Sequence, residues 1–250
     1  MNINSDINVL GSLSDFGLIN VLLKENTKSI NGHKIQQSYA NIKTIKSFKR
    51  FEKAINNTIL KFRTPTIEIL VRRVLDSEGI SFDSLLMLFW NASVNNELLD
   101  YLNQKVYFPA FFSGRVTIKK DEIAACLREL TQTEVSIQKW SDSTINTTAS
   151  KYLTLLKKFN LMEGGLNKTI LHRYISDRTI MLFVYWLSEV ETKPNLLESK
   201  WLQYCFAEKE VFIQLIMQKK FIKYINLSYS GDNLKIETTF SYEEIYDELK

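Results

Sequence analysis

Turn punctuation is what this sequence most lacks: 250 residues contain only 8 Gly and 3 Pro. Glycine and proline are the residues that most often interrupt regular structure, so a chain this poor in them carries long unbroken segments. Apolar residues in those segments recur at helical spacing. Val9, Leu10, Leu13, Phe16, Ile19, Leu22 and Leu23 mark one face between Asp6 and Glu25, and Ile42, Ile45, Phe48, Phe51, Ile55 and Ile59 mark a second helix. Thr64-Pro65 supplies a capping hydroxyl and a proline at the first helical position, and Gly79 a stop. Ser81 to Trp90 and Asn95 to Tyr107 read as two more helices, closed by Phe108-Pro109. The expected fold is mainly α and two-lobed. An N-terminal helical domain takes residues 1–112, and a C-terminal helical domain with small β-hairpins takes residues 113–250.

A hydrophobic share of 45% and a charged share of 24% belong to a globular protein with a sizeable core. No secretory leader pattern is evident at the start of the sequence. The longest apolar runs, LLMLFW near Leu85 and IMLFVYWL near Ile180, are far shorter than the ~20 residues a membrane span needs. Cys126 and Cys205 sit in apolar-patterned segments without CxxC or Cys/His spacing, which suits reduced thiols in a cytoplasmic protein.

Catalytic and metal-binding patterns are missing. His33 and His172 are the only histidines, and neither has an Asp or Glu at a useful spacing. GGLNKT, from Gly164, superficially resembles a phosphate loop but lacks its first glycine and has Asn167 in place of the second. Glu198-Ser199-Lys200 has no preceding strand or acidic partner for a metal. The expectation is a protein with no cofactor, no metal and no enzymatic activity.

Charge is unevenly spread. The chain as a whole is +4, yet Lys24 to Arg73 holds twelve lysines and arginines against three glutamates. Lys43, Lys46, Lys49, Arg50 and Lys53 fall on one face of the second helix, opposite its apolar stripe. Such a face suits either a polyanion or an acidic protein surface.

The texture changes past Gly114. Val116 to Ile118 is a short β-like run, Lys120 to Leu130 a helix, and WSDSTINTTASKYLTLLKKFNLMEGG a longer helix with a polar start. Asp142 or Ser143 can cap it, and Ile145, Ala149, Tyr152, Leu153, Leu156 and Phe159 form its buried stripe. Gly164-Gly165 reads as its stop, and LNKTILHRYI as a β-ribbon. Strand, helix, connector, long helix and ribbon follow in the order of a winged helix-turn-helix, whose second helix enters the major groove. The outward face would then carry Asn146, Thr147, Ser150, Lys151, Thr154 and Lys158, with Ser143 and Thr144 near phosphates and Lys168 and Arg173 on the wing. Leu196 to Phe206 and Glu208 to Phe221 read as two further helices. A hairpin around Ser230-Gly231-Asp232-Asn233, with Tyr229 near its tip, follows them.

The same stretch resembles the W-S-x-S-T … L … L … F-G-L motif of BrxA-like proteins, the small accessory component A of BREX phage-exclusion systems. RTPTIEILVRRVLDSEG is similar to their central helix. Asn160 stands where that motif has glycine, which alters the helix end but not its face. The resemblance implies a helical, non-catalytic, double-stranded DNA-binding protein that acts beside the other components of a bacterial defence operon. Contacts would be largely to the DNA backbone. The alternative is an adaptor whose basic helix meets an acidic protein surface without nucleic acid, since fold alone does not settle function.

Overall fold

The computed structural model describes residues 3–25, 42 and 44–250. In chain order the helices are α1 (Asp6–Leu10), α2 (Gly17–Glu25), α3 (Ile45–Thr58), α4 (Pro65–Glu78), α5 (Phe82–Asn95), α6 (Glu97–Leu102), α7 (Phe108–Phe112), α8 (Lys120–Thr133), α9 (Asp142–Lys158), α10 (Asp177–Val190), α11 (Lys209–Ile216) and α12 (Ile245–Glu248). Two antiparallel hairpins complete the described part: β1 (Met162–Gly164) with β2 (Lys168–Ile170), and β3 (Ile225–Tyr229) with β4 (Leu234–Thr238). The fold is mainly α. The chain divides into two compact units, Met1–Lys61 with Ile80–His172, and Phe62–Gly79 with Arg173–Lys250. The boundary expected near residue 113 falls inside the first unit.

In the first unit, α5 is buried from Asp83 to Ser93, as a helix with apolar residues all round must be. Its buried asparagine is put to use: Asn91 Nδ2 donates to Ile59 O at 2.6 Å and Lys61 O at 3.1 Å, carbonyls at the end of α3. Phe159, just past α9, packs against Phe16 (ring centroids 5.0 Å apart) and Phe89 (5.4 Å). The expected first helix is broken. α1 stops at Gly11, where a Cβ would lie 2.4 Å from the Lys151 carbonyl, so glycine permits the close approach of α1 to α9.

The sixth helix does not end at Pro109 either. It passes through a π turn, Asn103–Tyr107, into α7, and Pro109 falls in the first turn of α7, where a missing N–H costs least. Asn103 in that turn is buried and satisfied on both sides. Tyr152 Oη on α9 donates to its Oδ1 at 2.9 Å, and its Nδ2 donates to Ser93 Oγ on α5 at 3.1 Å.

In the second unit, α4 begins at Pro65 with Thr64 Oγ1 accepting from Ile67 N, and Gly79 follows its last turn at φ 64°. It packs with α10 and α12. The Tyr185 hydroxyl of α10 donates to Tyr224 O at 2.8 Å and accepts from Phe240 N at 3.1 Å, which holds both ends of the β3–β4 hairpin. That hairpin turns at 230–233, as its sequence implies. Residues 196–206, expected to be a helix, instead form two 3₁₀ turns, Leu196–Glu198 and Lys200–Cys205. Asn195 and Ser199 each accept from a backbone N–H two residues on, and such local bonds compete with an α-helix.

Candidate nucleic-acid interface

The segment from Val116 to His172 builds one surface. α8 and α9 are joined through a short 3₁₀ turn, Val135–Ile137, and α9 leads into the β1–β2 hairpin. Thr117 pairs antiparallel with Thr169, and Ile170 N donates to Val116 O at 2.8 Å, so the run before α8 lies along the hairpin's second strand. His172 closes the edge: its ring stacks on Phe111 (centroids 4.7 Å apart) and Nε2 lies 3.0 Å from Arg115 O. This histidine has a packing role.

The cap of α9 is Ser141, ahead of both expected residues, Asp142 and Ser143. Its Oγ accepts from Thr144 N at 3.2 Å, while Asp142 is the first helical residue and bonds Arg128 Nε at 3.0 Å. Ile145, Thr148, Ala149, Tyr152, Leu153, Leu155 and Leu156 form the buried side. Thr148 is tolerated there because Asn8 Nδ2 of α1 donates to its hydroxyl at 3.0 Å. Opposite lie Ser143, Thr147, Ser150 and Lys157, all exposed, with Thr154 half-buried among them. Thr154 donates back to Ser150 O, and Asn146 Nδ2 to Asp142 O. The exposed face therefore presents short hydroxyl side chains.

The other expected site residues divide. Lys46, Lys49, Arg50 and Lys53 are exposed on α3, with the Arg50 guanidinium 5.8 Å from the Phe51 ring centroid. Lys43 lies outside the described residues. Thr144 is half-buried in the first turn of α9. Lys151 is half-buried where α9 meets Gly11. Lys158 turns inward, and its Nζ donates to the carbonyls of Leu10, Gly11 and Leu13, closing the C-terminal end of α1. Burial, with Lys151 nearby, pulls its pKa down to about 8, and Asp15 opposes this. Arg173 is exposed beyond the hairpin, as the first residue of the second unit.

Lys157 is the residue that sequence reading passed over. It is exposed, its Nζ donates to Gly164 O at 2.6 Å, and Lys168 Nζ donates to Gly165 O at 3.1 Å. The pKa of Lys168 is lowered by burial and then by Lys157, so two ammonium groups share the notch between α9 and the hairpin. Helical phase could have found it. Lys157 lies seven residues from Ser150, nearly two full turns, whereas Lys158 is about 100° further round.

Gly164-Gly165 does not stop α9. The helix ends at Lys158, and Asn160 then takes the left-handed conformation, φ 60°. Asparagine tolerates this conformation better than other residues with a Cβ, which accounts for its standing where the motif has glycine. Gly164 (φ 90°) closes the hairpin, and a Cβ there would meet Asn167 O at 2.3 Å. The phosphate-loop likeness of GGLNKT is thus a hairpin turn.

Nearby, a cavity of about 570 Å³ between α6–α7 and α8 is lined in part by Tyr101, Lys105, Cys126 and Glu129. Burial raises the Cys126 thiol above its usual range, which makes it a poor nucleophile. Both cysteines are free, Cys205 buried and Cys126 half-buried. Among the described residues no group of three or more His, Cys, Asp or Glu is placed to hold a metal ion, and no helix is long and apolar enough to cross a membrane.

The architecture is that of a mainly α protein with a helix–turn–helix–hairpin surface in its first unit. The family model described as BrxA matches residues 13–184, more than half of the chain and all of that surface, and the chain belongs to the BrxA family. It is thereby a component of BREX phage defence. No curated protein and no solved structure matches it.

Proposed function

We propose that the chain is a non-catalytic, cytoplasmic BREX accessory protein that binds double-stranded DNA through a winged helix-turn-helix spanning residues 116–172. α9 is the recognition helix and the β1–β2 hairpin the wing. The carrying observation is the outer face of α9: hydroxyls of Ser143, Thr147, Ser150 and Thr154 end at Lys157, with Lys168 beside it. Short hydroxyls and lysines bond phosphates readily and read bases poorly, so binding is driven mainly by the backbone. Lys46, Lys49, Arg50 and Lys53 add a second cationic row on α3 in the same unit. Lys158, held by α1, takes no part.

Fluorescence anisotropy with a labelled random duplex tests this. Contact with about six phosphates makes affinity fall roughly a thousandfold between about 50 and 200 mM salt. Ser150→Ala with Lys157→Ala lowers affinity and flattens that slope, and Lys46→Glu with Lys49→Glu lowers it further. Absence of duplex binding at low salt would instead leave the basic rows to an acidic protein partner among the other BREX components.

A further inference from the structure

Leu166 is fully exposed, at 105%, and its position makes that exposure informative. A lone surface leucine is ordinary in itself. This one stands in the three-residue turn of a hairpin held rigid at its base. Gly164 closes the turn so tightly that no Cβ fits against Asn167 O. Lys157 and Lys168 each donate to a carbonyl at the start of the turn, Gly164 O and Gly165 O. Met162 and Ile170 face the core while Glu163 and Thr169 face the other way, so alternation places Lys168 on the side of Met162 and away from Glu163. The tip therefore presents a leucine, the Asn167 amide and two cations at its base.

Resting on the DNA-binding reading above, we propose that Leu166 is a wedge. With α9 in the major groove, the hairpin tip enters the adjacent minor groove and Leu166 partly unstacks one base step, kinking the duplex. Apolar side chains that do this sit on protruding elements flanked by cations and amides, because the minor groove offers only a degenerate set of acceptors and a strong negative potential. The kink brings more backbone within reach of the lysines.

The test uses the full-length protein and a duplex with donor and acceptor dyes at its two ends, alongside anisotropy on the same DNA. The wild type should raise energy transfer on binding. It should bind a duplex carrying one central mismatch roughly tenfold more tightly than a matched one, because a mismatched step is cheaper to unstack. Leu166→Ala and Leu166→Ser should lose both the bend and the preference while overall affinity falls less than about tenfold; Leu166→Phe should keep both. Tight binding without a bend, or a bend unchanged in Leu166→Ser, overturns the wedge and leaves the DNA-binding reading intact. No binding to any duplex overturns both. Loss of a BREX partner on Leu166→Ser, with the DNA unbent, assigns the tip to protein contact and likewise overturns the wedge.

Discussion

Replacing Lys158 with methionine removes the donor shared by three carbonyls at the end of α1. A hydrogen bond to a charged group contributes about 1.5–3 kcal/mol, but burying the ammonium offsets much of the sum over three, so Lys158→Met should lower the unfolding free energy by about 1–3 kcal/mol in urea titrations and leave DNA affinity unchanged. Lys157→Ala should do the reverse, sparing stability and lowering the salt slope by about one. The two lysines are adjacent in sequence, and α1 decides between them. Nothing in the local pattern announces that a helix 145 to 148 residues earlier in the chain will need its carbonyls closed. The sequence does reveal the buried stripe of α9 and, through helical phase, that Lys157 shares a face with Ser150. The burial of Lys151 does not follow from periodicity, because its backbone meets Gly11 of a helix distant in sequence.

Elements with a strong local signal were legible, and those shaped by distant contacts were not. α4, with Thr64-Pro65 at its start and Gly79 at its end, and the β3–β4 hairpin follow from caps and turn residues alone. The break at Gly11 answers to Lys151, far along the chain, and the π turn at 103–107 accompanies a buried asparagine bonded to two other helices. The glycines at 164 and 165 signalled an interruption; which element they interrupted depended on Asn160 taking the left-handed turn first. At the hairpin, Gly164→Ala should cost about 1–3 kcal/mol locally, since a positive φ and the Asn167 carbonyl both oppose a Cβ. Amide hydrogen exchange would show β1 and β2 opening faster with α8 and α9 unaffected, and DNA affinity falling with the wing.

At the scale of the whole molecule, each unit is discontinuous in sequence. The mainly α class could be read from the scarcity of glycine and proline, but the exchange of α4 into the second unit could not, because its apolar face is equally compatible with either core. A fragment of residues 1–112 lacks α8, α9 and, just past α9, Phe159, which packs on Phe16 and Phe89. A fragment of 113–250 lacks α4, whose Ile67, Leu70, Val71 and Val74 are buried. Neither should give a cooperative thermal transition by circular dichroism, whereas the full chain should.

The placement of α4 also sets a schedule for synthesis. Ribosomes add roughly 5–20 residues per second, so α4 leaves the exit tunnel on the order of ten seconds before the α10 and α12 segments that cover it. Through that interval its buried side chains, Ile67, Leu70, Val71, Val74 and Leu75, face water or a chaperone. The first unit, complete once His172 has emerged, can fold first, while α4 still waits for the rest of its own unit. Slow codons after residue 172 would lengthen the exposure, and a nascent-chain crosslink from Leu70 to a trigger-type chaperone would be strongest in that window.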